Sequence, residues 1–225
     1  MKLLTWLLDL LFPPKCIICH RVLDEPRAVV CPDCLDALPN YEGAEPHVRY
    51  ADRCVATFFY QEPIRASILR FKFGGLKQYA EQYGKWMAVT IGDKLSGDFD
   101  LVTWAPVSDE RRKSRGYDQT ELLCRAVSET LGVPMLRTLV KTTHTPAQST
   151  LQDAAMRAAN VRGVYEPYQP EVYAGKRILL LDDIVTTGAT LSECSRVLLT
   201  AGAERVLCAA LAAPAKKPED KGETL

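Results

Sequence analysis

The chain has 225 residues, 47% hydrophobic and 25% charged, ordinary for a soluble globular protein and enough for one substantial α/β domain plus a small module. Its 28 basic and 28 acidic residues cancel, so no global basic field marks it for nucleic acid, and any such surface has to be local. Two closely spaced CxxC pairs without a secretory signal are the pattern of metal ligation, not of disulfides, and imply a reducing, cytoplasmic compartment.

In chain order, Leu3, Leu4, Leu7, Leu8 and Leu11 recur at helical spacing before Pro13-Pro14. The spacing predicts an amphipathic helix within 1–14. It is too short for a bilayer, which needs roughly 20 apolar residues, so no integral membrane segment is expected. The helix is expected to pack on the protein itself, with a partner groove or peripheral membrane association as alternatives.

Residues 15–50 follow as a turn-rich module. A strand is expected at Arg53–Tyr60, then helices at Ile64–Phe73 and Tyr79–Leu95, and a buried strand over Leu101–Val107. A helix over Gln119–Leu131, closed by Gly132, precedes a polar loop from Lys141 to Gln152 and a short helix over Asp153–Asn160. Strands at Arg177–Leu181 and Arg205–Ala212 flank a helix over Ala189–Ala201. Strands alternating with helices of this length predict a parallel sheet with crossover connections in a domain spanning 51–213, with 214–225 a charged, Pro-bearing tail.

Cys16, Cys19, Cys31 and Cys34 form CxxC, eleven intervening residues, then CxxC. Two such knuckles make a closed tetrahedral four-sulfur shell, the pattern of structural zinc, and metal binding would supply folding energy to a module too small for its own core. A redox pair is the rival reading, and the doubling of the motif argues against it. His20 and Cys54 are possible substitute ligands.

Ile178–Thr190, ILLLDDIVTTGAT, is the most informative string. A buried apolar strand places whatever follows it at the carboxyl edge, where open α/β sheets bind ligands. Asp182 and Asp183 suit vicinal ribose hydroxyls, directly or beside Mg²⁺. Thr186, Thr187, Gly188, Ala189 and Thr190 open a helix whose small residues let backbone N–H groups approach a phosphate. The bland alternative, an Asp-capped turn with N-cap threonines, accounts for one acid and one threonine only.

The string resembles the phosphoribosyl-pyrophosphate (PRPP) signature of type I phosphoribosyltransferases. That resemblance implies that Asp182 and Asp183 meet the ribose hydroxyls and that 186–190 wrap the 5′-phosphate. It also implies that the loop Ala105, Pro106, Val107, Ser108 and Asp109 holds pyrophosphate together with Mg²⁺. Beside that loop lie Arg111, Arg112, Lys113 and Arg115, suited to the charge that develops on departing pyrophosphate, or to a solvated charged turn.

Arg115–Gln119, RGYDQ, is similar to an RGFNQ element of one subfamily; Asp118 replaces the usual Asn, which puts a direct phosphate role there in doubt. Gln148, Arg157 and Asn160 match a further block of that subfamily, and the polar stretch before it resembles the superfamily's closing flap. With the paired knuckles, FPPKC at 12–16 and FKFGG at 71–75, the chain is similar to the ComF family of competence-associated, phosphoribosyltransferase-like proteins. The family implies handling of single-stranded DNA with a helicase-like partner. Lys72, Arg112 and Arg115, with Arg65, Arg70 and Lys77, are the candidate electrostatic track, and Tyr60, Phe71, Phe73 and Tyr117 the candidate stacking groups; Lys72 also matches a position usually basic in that family, which implies that it faces the ligand cleft. Three readings follow: a phosphoribosyltransferase, a nucleic-acid or partner-binding module that retains the phosphate pocket, and a metal-stabilised assembly factor.

Overall fold

A computed structural model describes residues 13–25, 27–95, 97–142 and 163–215. The elements are α1 (Pro32–Asp36), β1 (Arg53–Phe59), α2 (Ile64–Phe73), α3 (Tyr79–Leu95), β2 (Leu101–Trp104), α4 (Asp109–Arg115), α5 (Gln119–Leu131), β3 (Leu139–Lys141), β4 (Tyr165–Pro167), β5 (Arg177–Ile184), α6 (Ala189–Thr200) and β6 (Arg205–Ala213). The expected helix at the N-terminus, the helix over Asp153–Asn160 and most of the tail lie outside the described residues.

Four strands pair in parallel in the order β1-β6-β5-β2, as the alternation of apolar strands and helices predicts. Ile178, Leu179, Leu180 and Leu181 of β5 are each 0% exposed, because the strand is covered on both faces. Each such side chain contributes about 1.5–3 kcal/mol of burial. Leu179 and Leu181 face a layer built from Ile64, Ile68 and Phe71 of α2, Tyr83 and Met87 of α3, and Leu123 and Val127 of α5. Ile178 and Leu180 face Leu191, Cys194 and Leu198 of α6, together with Leu139 and Tyr165. Successive side chains of a strand alternate between faces, so the residues that follow inherit this division.

The metal module does not stand apart. Cys16, Ile17, Ile18 and Leu23 belong to the same buried cluster as α2 and α3. The carbonyl of Ile17 accepts bonds from Ser67 Oγ and, at 3.2 Å, from Arg70 Nη2, while that of Ile18 accepts a second bond from the same nitrogen.

Four elements differ from expectation, the first being β2, which ends at Trp104 rather than Val107. Asp109–Arg115, where no helix was expected, is a helix capped by Ser108 at its start and by left-handed Gly116 at its end, with acids in its first turn and bases in its last. Lys141, expected to open a loop, ends a strand that pairs antiparallel with Tyr165–Pro167. β5 runs through Ile184 rather than stopping at Leu181.

Candidate functional site

The four knuckle cysteines bring their sulfurs within 4.8 Å of one another, and Cys19 and Cys31 sulfurs are 3.8 Å apart. A tetrahedral zinc with bonds of about 2.3 Å requires sulfurs about 3.8 Å apart, so the set fits that ion. Cys54 lies instead in β1, paired in register with Cys208 of β6, and is no part of it.

At the carboxyl edge of the sheet, Asp182 and Asp183 are the last polar residues of β5, and alternation sends them to opposite faces. Asp183 turns toward α2 and α5. Its Oδ2 sits 3.0 Å from Lys72 Nζ and accepts a 2.8 Å bond from Gln119 Nε2. Lys72, expected on an electrostatic track or facing the ligand cleft, is thus turned inward, its side chain 16% exposed, because a cation is what makes burial of Asp183 tolerable. Asp182 faces the α6 layer, where burial, then the charge of Asp183, holds its carboxyl above the ordinary range. Its Oδ1 accepts from Asp183 N at 2.8 Å.

Each residue of RGYDQ has a position-specific task. Arg115 Nη1 donates to Gln119 Oε1 at 2.8 Å and its guanidinium lies 4.8 Å over the Phe73 ring. Gly116 adopts φ 76°, which turns the chain between α4 and α5. Tyr117 Oη donates to the carbonyl of Phe71, tying this turn to the end of α2. Asp118 caps α5 through bonds from Thr120 N and Glu121 N, and also accepts from Val107 N at 3.0 Å. Gln119 then reaches Asp183. The element thus fixes the 105–108 loop to the signature acid through the buried Tyr117, Asp118 and Gln119, which accounts for an Asp where the subfamily pattern has Asn.

Beyond β5, Val185 is anchored by its N–H to Ala212 O at 3.0 Å, Thr186 and Thr187 are exposed, and Gly188 in the left-handed region opens α6 without a side-chain cap. A Cβ on Gly188 would lie 2.3 Å from His47 O. The close approach comes from the stretch that leaves the metal module: Val48 is buried, and Arg49 N donates to Ser192 Oγ at 2.9 Å.

The basic cluster divides. Arg112 reaches Glu121 at 3.8 Å, Arg115 serves Gln119, and Lys113 is exposed. Arg111 is drawn inward, and burial, then Arg115, pull its guanidinium below its usual value. Arg65 pairs with Glu62, Arg70 holds the knuckle carbonyls, and Lys77 lies over Tyr117. The expected continuous track is therefore absent among the described residues. Of the expected stacking groups, Phe71 and Tyr117 are core, whereas Phe73 is 67% exposed. Gln148, Arg157, Asn160 and the flap lie outside the described residues.

Comparison with known proteins agrees with these two parts. Residues 7–47 match the double zinc ribbon domain and residues 122–224 the phosphoribosyl transferase domain. Competence protein F of Haemophilus influenzae is 29% identical over 182 residues, 78% of this chain and 75% of its own length. DNA utilization protein YhgH of Escherichia coli is 26% identical over 204 residues, covering 85% and 86%, and competence protein ComFC of Bacillus subtilis is 24% identical over 153 residues, covering 65% and 58%. Over most of its length the chain is a homologue of these competence and DNA utilization proteins.

At the carboxyl edge, two features have no motif behind them: the 47–49 stretch over Gly188, and Lys141 with Arg137, which border a cleft of about 550 Å³ beside Pro106 and Val107. A lone lysine in an unremarkable run carries no signal; only the pairing of β3 with β4, 24 or more residues apart, puts it there.

Proposed function

We propose that this chain binds PRPP, the 5′-phosphate on the loop from Thr186 to Thr190 and a ribose hydroxyl on Asp183. The observation that carries this reading is the start of α6. Its first N–H groups follow a glycine that offers no side-chain cap, directly after two exposed threonines and five residues beyond Asp183. Such a helix end concentrates donors and a partial positive charge where a phosphate dianion fits.

Lys72 already neutralises Asp183, so a Mg²⁺ arriving with the ligand would be held by its diphosphate beside the 105–108 loop rather than between the two acids. Transfer of the 5-phosphoribosyl group from C1 to an acceptor nucleophile, with release of pyrophosphate, is the reaction this arrangement serves. The free thiols of the knuckles suit the cytoplasm.

Calorimetry with PRPP and Mg²⁺ tests the binding. The Oδ1 of Asp183 is the oxygen left to accept from a ribose hydroxyl, so Asp183→Asn converts one charge-assisted bond to a neutral one. Since such bonds contribute roughly 1.5–3 kcal/mol, affinity falls about ten- to hundredfold. Equal affinity in the variant refutes the assignment, and pyrophosphate release followed in the same sample reports turnover.

A second reading, single-stranded nucleic acid as the partner, is favoured by the exposed Phe73 ring under the Arg115 guanidinium, a pairing on which a base can stack. A mobility shift unchanged by the Arg112→Ala/Arg115→Ala double substitution removes it. A helicase-like competence protein is the protein partner implied by the family and would be found by pull-down.

A further inference from the structure

Helix α2 has two faces with different duties. Ser67 and Arg70, three residues apart and so neighbours on one side of the helix, meet the metal knuckle. Ser67 Oγ donates to the carbonyl of Ile17, and Arg70 Nη2 to the carbonyls of Ile17, at 3.2 Å, and Ile18. Ile17 and Ile18 are the two residues between Cys16 and Cys19, so these carbonyls move only with the knuckle. Lys72 stands two residues beyond Arg70, about 200° further round the helix. It points the other way and meets Asp183 at 3.0 Å.

Arg70 is also set apart by its charge. It is half-buried, its Nε is buried without a hydrogen-bond partner, and it pairs with no carboxylate among the described residues. Arg21, which also faces the knuckle, has Asp33 at 3.2 Å. Tyr79 and Tyr83 of α3 each feel the charge of both Arg70 and Cys16, which places the guanidinium beside the metal shell. Four thiolates around a divalent zinc leave a net negative charge, and a partly desolvated cation needs such an anion. The end of α2 is tied on its other side as well. Tyr117 Oη donates to the carbonyl of Phe71, and Arg115 lies over the Phe73 ring. A shift of α2 therefore disturbs the knuckle, the RGYDQ turn and the Lys72–Asp183 pair together.

We propose that Arg70 is a positioning residue that joins the metal knuckle to Asp183 through α2, so that zinc in the ribbon and PRPP at the carboxyl edge strengthen each other's binding. This coupling rests on the PRPP reading and gives the ribbon a part in ligand binding beyond its own folding. In one state the knuckle carbonyls and the zinc-thiolate charge hold Arg70, α2 is seated, and Lys72 stays on Asp183. In the other the knuckle is open, Arg70 has lost its acceptors and its anion, and α2 leaves the sheet with Lys72. A ligand that needs Asp183 in place binds the first state, and linkage makes the effect reciprocal.

Zinc affinity is measured by competition against a zinc-selective chromophoric chelator, with and without saturating PRPP and Mg²⁺. Calorimetry on the same zinc-loaded chains reports PRPP binding. In the wild type PRPP raises zinc affinity about fivefold or more. In Arg70→Met that factor falls to about one, while Arg70→Lys, which keeps a cation and a donor, restores most of it. Arg70→Gln takes the place of Arg70→Met should the apolar variant not hold zinc. The affinity of PRPP itself for zinc cancels in the comparison between variants.

A merely structural Arg70 gives a different pattern: zinc affinity drops in Arg70→Met, but PRPP still raises it by the wild-type factor. That result overturns the proposal. Wild type that binds PRPP, yet holds zinc equally well with and without it, also overturns the coupling and leaves the PRPP reading intact. Wild type that binds no PRPP overturns both.

Discussion

Asp182 and Asp183 are adjacent and chemically identical, yet they sit in opposite electrical settings. Asp183, on the face shared with the metal knuckle, has a lysine and an amide on one oxygen. Asp182, on the α6 face, has burial and a neighbouring carboxylate working against its charge. The difference teaches that a paired-acid motif at a strand end is two sites, because the pleat separates them. Chemistry at the edge is divided accordingly: a neutralised acid beside α2, and a buried acid held above its ordinary range on the α6 face.

The comparison can be broken at the metal first. Chelation removes the knuckle whose carbonyls Arg70 and Ser67 hold, so α2 should lose amide-exchange protection while α6 retains it. Equal loss on both faces would show that the metal stabilises the whole molecule and not one layer.

Next in size is Lys72→Met, which strands Asp183 without its cation. Removing one partner of a buried pair costs about 3 kcal/mol, read from denaturant unfolding, and Lys72→Met/Asp183→Asn should recover most of it. On the other face, Gly188→Ala places a methyl against His47 O and forces φ 72° on a residue with a Cβ. A loss of about 2 kcal/mol is expected, accompanied by weaker binding of ribose 5-phosphate.

The smallest effect has the opposite sign. Because Asp182 has a raised folded pKa, the folded state holds its proton more tightly than the unfolded chain, and wild type loses stability as pH rises above about 3.9. Asp182→Asn keeps the oxygen that accepts from Asp183 N and removes the charge. The variant should match wild type in acid and exceed it by a margin that grows with pH to at least about 1 kcal/mol at about pH 8, checked by thermal melts across that range. A constant difference at all pH values would mean that Asp182 is not the titrating group.

Much of this was legible before any coordinates. The zinc ribbon follows from four cysteines at knuckle spacing, and the parallel sheet from apolar runs alternating with helical periods. Helix limits at Ile64–Phe73 and Gln119–Leu131 coincide with expectation because Gly74 and Gly132 mark their ends. The helix Asp109–Arg115 was missed because a run this rich in charge carries no apolar period; a Ser cap, first-turn acids and a terminal glycine hold it instead. Lys72 was left open between the ligand cleft and an electrostatic track because a lysine's direction depends on which face of α2 meets the sheet; its pair with Asp183 favours the cleft.

What the sequence determined by itself is local: which residues coordinate one ion, where a buried strand ends, and that small residues and threonines open the next helix. Those features are set by neighbours a few positions apart, through knuckle geometry, alternation and helix-end donors. Tertiary structure decided the partners. It set Lys72 and Gln119 on one oxygen of Asp183, passed His47 over Gly188 and left Lys141 with no carboxylate among the described residues. Each of these joins residues dozens of positions apart or depends on which element covers which face, and only the packing of the layers settles that.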